Sequence, residues 1–372
     1  MESRRPLAGV AVLFFVNGTA FGSWLPRLPE LRDRLGLSLS AVGLVLAMAG
    51  IGGLAGSASS GRLVGRLGAR RVGLWPALAL MATLPLIGIA PGAVALGAVV
   101  LAAAAADALA DVGMNALAVR AQETRPRSIF NRLHALWSMG SLTGAAVAAG
   151  AAAVRFPLPW HLLAVAGAGT GAVMWARTVL PATELRPRMR SRPGLAVGVV
   201  VVGAGAALVE GAPHEWSAIF LADVLGASAG VAGLGFLGLS AGMVAGRLLG
   251  DRAVDRLGPV RSIFTGLATV AVATIAVVTS PPVAITLAAL VLWGLGVSVV
   301  LPLLYRLAGS HRGFGEGSGL AALTVGSRLG FMAGPTAVGS TAAVWSLPAG
   351  LGIVVAAGLV VTVAAVSRGL AE

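Results

Sequence analysis

The sequence predicts an all-α polytopic membrane protein: twelve transmembrane helices arranged as two pseudo-symmetric six-helix bundles. Three observations carry that expectation. The 372 residues are 57% hydrophobic and 11% charged with a mean hydropathy of +0.90, far from the one-quarter charged composition of soluble domains. Apolar runs of about 20 residues, the length that crosses a bilayer, recur twelve times between short polar segments. The two halves of the chain also repeat one another.

The first run, 7–26, follows Met1 to Pro6 and has no small-x-small cleavage site, so it reads as a retained helix rather than a signal peptide. Next come 39–60 and 72–90, then 93–120 and 129–154, both long enough to tilt or to extend past the bilayer. Residues 158–180 complete the first six. The second six are 194–222, also long, then 228–249, 261–280, 283–307, 317–340 and 344–367. The runs are continuously apolar and lack the two-residue alternation of a barrel strand, which selects helices. Residues 1–180 therefore form an N-terminal bundle, 181–193 a cytoplasmic linker and 194–372 a C-terminal bundle.

Arginine placement tests the count. All 27 basic residues are Arg, and with the N-terminus inside, 22 of them fall in cytoplasmic segments, including Arg62, Arg66, Arg70, Arg71, Arg177, Arg247, Arg252, Arg256 and Arg261. Arg27, Arg32, Arg34 and Arg155 fall outside, and Arg328 alone is set deep in a helix. That asymmetry predicts an even number of spans with both termini cytoplasmic. The internal repeat agrees: Gly61 to Gly68 aligns with Asp251 to Gly258 at an offset of 190, and Gly140 and Gly144 align with Gly326 and Gly330 at 186. Parallel repeats of this kind hold a solute between the halves near the bilayer midplane.

Composition excludes several classes of function. The net charge of +13 is dispersed in short clusters, not gathered on a continuous basic face, so nucleic acid is not a partner. There is no Cys, and four scattered His offer no metal-ligand spacing, so no metal or other cofactor is expected. Without Lys there is no phosphate-binding loop for ATP. Ser138 lies four residues from His134, but with no oxyanion site a hydrolase is not expected. The expected partners are protons, membrane lipids and a small-molecule substrate, with the chain working as a monomer.

Acids inside apolar spans cost several kcal/mol unless they meet water or a partner, so they mark candidate sites. Asp107, Asp111 and Asn115 recur every four residues and share a helix face. Glu210 lies past the middle of the seventh span, and Glu215 reads as a solvated residue at its mouth. A buried carboxyl reached alternately from two sides can load and release a proton, so Asp111, Glu210 and Asp107 are the candidate coupling acids; structural pairing is the alternative for each. Arg328 either binds an anionic solute or completes a permanent ion pair with one of those acids. Asn17 is a mid-helix amide suited to a polar solute. His134 is placed to bond Asn115 or relay protons, and Trp137 to stack against a ring or sit in an interfacial belt. Glycines 238, 242, 246 and 250, with 326, 330 and 334, form small-x-x-x-small faces for close helix approach, which could also slide at the seam between bundles.

The loop after the second span carries Gly61, Arg66, Gly68 and Arg70, and its repeat carries Asp255, Arg256, Gly258 and Arg261. This is similar to the loop signature of the major facilitator superfamily, with Gly65 where the family has Asp. The resemblance implies a cytoplasmic latch at Arg66, Gly68, Arg70, Asp255 and Arg256. Ser23-Trp24-Leu25-Pro26-Arg27-Leu28-Pro29, Asp111 to Asn115 with Glu123, His134 to Gly140, Glu210-Gly211 with Trp216-Ser217, and Gly334-Pro335 resemble a bacterial branch near the fucose permease. There the resemblance implies a proton-coupled role for Asp111 and cavity roles for Trp24 and Trp216. The first span lacks the permease's acid, which argues against fucose itself. The expectation is a secondary transporter of the bacterial cytoplasmic membrane that moves a sugar-like or acidic solute by alternating access. Proton-driven export of drug-like or metabolic compounds is the alternative within transport, and a non-transporting sensor or scaffold is the alternative outside it.

Overall fold

A computed structural model describes residues 4–123, 130–181, 197–279, 282–310 and 318–368. The expected linker lies almost wholly outside them, as do Arg125, Arg127 and Arg312. The described chain is helical throughout: α1 Arg4–Trp24, α2 Leu28–Leu35, α3 Leu39–Leu67, α4 Ala69–Ile89, α5 Ala93–Glu123, α6 Phe130–Ala153 and α7 Leu158–Val179. Then follow α8 Val197–Asp223, α9 Ala229–Leu257, α10 Pro259–Val278, α11 Val283–Val297, α12 Val300–Ser310, α13 Ser318–Val344 and α14 Leu347–Arg368.

Among the described residues, eleven spans are long and apolar enough to cross a membrane, with α1 and α2 forming one and α11 and α12 another. The twelfth, α13, has the length at 27 residues but dilutes its apolar sequence with Gly, Ser, Thr and Arg328. It packs against α3 and α8.

The expected runs 39–60 and 228–249 continue to Leu67 and Leu257, and the first and tenth differ in other ways. The first continues past residue 26: a single 3-10 turn, Leu25–Arg27, leads into α2, and Pro26 and Pro29 sit in first turns, where a missing N–H costs nothing. The tenth breaks at Ser298 and Val299. Pro302 cannot donate to the carbonyl of Ser298, so the helix restarts with Pro302 in the first turn of α12, where Leu303 N–H bonds to Val299 O (3.1 Å).

The repeat is visible in backbone geometry. Between α3 and α4 the chain turns at Gly68 (φ 83°), and between α9 and α10 it turns at Gly258 (φ 77°). Both lie in the left-handed region open to glycine.

The glycine stripes lie within each group of helices. Gly140 of α6 abuts the backbone of Phe15 in α1, and Gly326 of α13 abuts Val200 in α8, its counterpart in the repeat. Gly52 of α3 likewise meets Leu101 in α5, as Gly242 of α9 meets Val291 in α11. These contacts are backbone to backbone, where any Cβ would collide, so those stripes lock helices together and are not the sliding seam.

The seam uses other residues. Helices α1–α7 pack chiefly on one another, as do α8–α14, and the two groups meet along α3 with α13 and α6 with α9. Gly43 lies against Pro335 and Thr336, Ser40 Oγ donates to Gly339 O (3.5 Å), and Gly230 and Gly233 lie against Ala153 and Ala149. Arg32 of α2 pairs with Asp223 at the end of α8. All of these lie at the end of the bundle away from the termini.

At the arginine-rich end, Arg66, Asp255 and Arg256 are exposed. A side chain at Gly61 or Gly65 would meet nothing within 4 Å. Among the described residues no hydrogen bond or ion pair engages Arg66, Asp255 or Arg256 as a latch in this conformation. Arg70 instead donates to the backbone oxygen of Arg177 (2.8 Å), tying α4 to α7 within one group.

Candidate functional site

A cavity of about 350 Å³ lies between the two groups, walled by α1, α3, α4, α5 and α6 on one side and α8, α9 and α13 on the other. Its polar wall holds Asn17, Asp107, Asp111, Glu210, His214, Glu215 and Arg328, and its aromatic wall Phe21, Trp24, Trp137 and Phe331. Seven of the residues singled out from sequence as coupling or solute-binding groups converge here: Asp107, Asp111, Glu210, Asn17, Trp24, Trp137 and Arg328.

Three of them form a chain across three helices. Trp137 Nε1 donates to Asn17 Oδ1 (2.7 Å), and Asn17 Nδ2 donates to Asp107 Oδ1 (2.8 Å). Asn17 is therefore committed at both ends, which makes it a strut between an acid and an indole before it is a solute contact. Phe21, one turn further along α1, packs against Trp137 with ring centroids 5.7 Å apart and against His214 at 6.0 Å, carrying the aromatic wall from one group to the other.

One turn beyond Asp107, Asp111 Oδ1 accepts from Asn115 Nδ2 (2.9 Å), which also reaches the backbone oxygen of Asp111 (2.9 Å). Asn115 thus spends its amide on its own helix. It lies outside the cavity wall toward the arginine-rich end, as does His134, whose ring stands edge-on to Phe14 at 5.1 Å.

Arg328 comes from the opposite group and lies within electrostatic range of both aspartates. Gly53 of α3 makes room for it, since a Cβ there would come within 3.2 Å of Nη1. Arg328 lines the cavity, and among the described residues no direct ion pair joins it to an acid.

The second group contributes a parallel arrangement. Glu210, Gly211, His214 and Glu215 share one face of α8, and His214 Nδ1 donates to the backbone oxygen of Glu210 (2.8 Å). Gly211 leaves space for Phe331, whose ring a Cβ would meet at 2.8 Å. Arg247 of α9 lies within electrostatic range of Glu210 and donates to Ser138 Oγ of α6, bridging the groups. Arg247 belongs among the deep arginines and not in a loop, because α9 runs on to Leu257.

Glu215 also departs from its sequence reading. It lines the cavity instead of the solvated mouth, and its Oε2 is sealed in the wall without a hydrogen-bond partner. Trp216, expected at the solute, points the other way. It is 0% exposed, its Nε1 has no partner, and its ring lies beside Gly339 in the core. One residue past Glu215 is about 100° around the helix, enough to leave the cavity face.

The wall and the residue just behind it therefore carry four carboxyls, Asp107, Asp111, Glu210 and Glu215, against two guanidiniums, Arg328 and Arg247. Such a chamber is chemically suited to holding protons or a solute's donor groups, with aromatic faces for a ring. His214 and the four acids do not amount to a metal site: among the described residues no group of three or more His, Cys, Asp or Glu is placed to hold an ion.

No protein-family model matches the chain. It is 28% identical over 344 residues to an uncharacterized transporter of Sinorhizobium fredii, covering 90% of each chain. It is 29% identical over 369 residues to an uncharacterized MFS-type transporter of Yersinia pestis, covering 95% of this chain and 93% of that one. Membrane protein MosC of Rhizobium meliloti is 27% identical over 382 residues, 97% of this chain and 89% of the relative.

Among solved structures, the nucleoside transporter NupG superposes with a TM-score of 0.78 at 15% identity over 98% of each chain. A bacterial homolog of the human lysosomal transporter Spinster, inward-facing and occupied, gives 0.67 at 15% over 97% of this chain and 94% of that one. The chain has the major facilitator fold and is similar, over nearly its whole length, to transporters of the MFS type.

Proposed function

We propose that this protein is a secondary transporter that carries a small polar organic solute by alternating access, coupled to protons through Asp111, Asp107 and Glu210. The observation that carries the reading is the cavity itself: a chamber at the seam of two helix groups, closed toward one end, with an excess of carboxyls over guanidiniums. In a membrane interior an uncompensated charge costs several kcal/mol. The surplus acids are neutralised by protons or by donor groups of the cargo, and that exchange couples the two.

Arg328, in the cavity wall and without an ion pair to an acid among the described residues, is the fixed cation whose field favours the carboxylate forms of Asp107 and Asp111 when they give up a proton to the water or cargo of the cavity. The aromatic wall supports a cargo with a ring or an apolar face. NupG is a nucleoside transporter, and a ring-bearing polar solute of that general size also suits this cavity. Both walls come from one chain, so a monomer suffices. The arginine asymmetry supports cytoplasmic termini in the bacterial inner membrane, which makes this conformation the one closed toward the outside.

The test is counterflow in proteoliposomes against sugars, nucleosides, amines and carboxylates, followed by uptake of any hit under an imposed proton gradient. Asp111→Asn is expected to abolish gradient-driven accumulation while leaving exchange of labelled for unlabelled solute. Accumulation by Asp111→Asn equal to that of the native protein would remove the coupling role, and absence of counterflow for every solute would remove transport.

A further inference from the structure

Building on that transport reading, we propose that Glu215 and Phe331 form a subsite for a positively charged nitrogen of the cargo, so that the solute is a cation with a ring or an apolar body.

The four carboxyls of the chamber differ in what the protein gives them. Asp107 accepts from Asn17 (2.8 Å) and Asp111 from Asn115 (2.9 Å), and both lie within electrostatic range of Arg328. Glu210 lies within range of Arg247. Glu215 has neither kind of partner. Among the described residues it accepts no hydrogen bond and has no guanidinium within range, and its Oε2 is sealed in the wall unpaired. A carboxylate left unmatched inside a membrane protein is strongly unfavourable. Since Glu215 lines the cavity, its match comes from what the cavity holds.

The surroundings select an ammonium group. Gly211 lies one turn before Glu215 on α8, and a Cβ there would meet the Phe331 ring at 2.8 Å and Glu215 Oε2 at 4.0 Å. The missing side chain thus brings ring and carboxyl side by side. That pairing binds ammonium groups, the carboxylate through its charge and the ring through its quadrupole. Phe21 and Trp24 continue the aromatic lining and give the rest of the solute an apolar face. Charge counting agrees: an acidic solute would add a fifth negative group to a chamber served by two guanidiniums, whereas a cation answers the one acid that the protein leaves unanswered.

The test is thermal unfolding and tryptophan quenching of the purified full chain at neutral pH with matched probes. These are the amines tyramine and cyclohexylmethylamine, the alcohols tyrosol and cyclohexylmethanol, and the acids 4-hydroxyphenylacetate and cyclohexanecarboxylate. The amines are expected to raise Tm, with the alcohols about tenfold weaker and the acids without effect. Glu215→Gln keeps the shape and removes the charge, and is expected to weaken amine binding by about thirtyfold. Phe331→Leu is expected to weaken it by about fivefold, and Glu215→Asp to retain the preference for amines over alcohols. The subsite is overturned if alcohols or acids bind as tightly as amines, if neither amine binds, or if Glu215→Gln keeps the native amine affinity. Counterflow of a neutral or acidic solute without amine binding would sink the subsite and leave transport standing. Glu215-dependent amine binding without counterflow of any solute would do the reverse.

Discussion

Asn17 illustrates how much of this site depends on single side chains. Its amide satisfies Trp137 on one side and Asp107 on the other, and it is almost completely buried. Asn17→Leu would leave an indole N–H and a carboxylate oxygen facing a side chain that can bond neither. The expected cost is about 1–2 kcal/mol, read as a lowered Tm, with a shift in tryptophan emission as Trp137 loses its anchor. An unchanged Tm and spectrum would show that water replaces the amide and that the strut is dispensable. The sequence made Asn17 visible only as an isolated polar residue in an apolar span. Its partners lie 90 and 120 positions away, and no local pattern encodes such a meeting.

Among the helices, the expected spans matched the structure where hydropathy alone sets the limits, and missed where other physics intervenes. The break before α12 was legible in principle, because Pro302 removes a donor from mid-span. Phase around a helix was not legible: whether Glu215 or Trp216 of α8 faces the cavity depends on neighbouring helices, and the two differ by one residue. Arg247 was within the expected span of 228–249, near its end, where a long basic side chain ordinarily reaches outward to water. Only the extension of α9 to Leu257 shows that it is deep.

Helix contacts give a paired prediction. Gly140→Val forces a Cβ into the carbonyl of Phe15 and is expected to destabilise by about 1–3 kcal/mol or more. Gly65→Ala, at a position with open space on α3, is expected to be neutral or to stabilise by up to about 1 kcal/mol through helix propensity. Thermal unfolding in detergent distinguishes them, and equal effects would contradict the backbone-contact account.

For the whole molecule, the repeat and the arginine asymmetry carried the fold, since both are properties of the full chain that survive errors at individual boundaries. They said nothing about which end is shut. In the structure Arg32 and Asp223 join the two groups at the end away from the termini. An exposed pair of this kind contributes at most about 1 kcal/mol, so Arg32→Ala is expected to shift the balance of conformations by up to about fivefold toward the opposite state. Because the chain has no cysteine, the pair Arg66→Cys and Asp255→Cys gives a clean readout: cross-linking at the arginine-rich end should rise when Arg32 is replaced. A fall or no change would mean that this pair does not hold the gate.

The segment from Arg5 to Leu35 is one span of 31 residues with only a single tighter turn inside it. At one point along its length are Asn17 and Phe21, and at its far tip the α2 gate reaches α8. A rod so built is a lever, and with the cytoplasmic termini proposed above its α2 arm is the exterior one, reachable without crossing the lipid. A nanobody or cyclic peptide that pins α2 onto the tip of α8 would arrest the cycle from outside the cell, without ever competing for the solute.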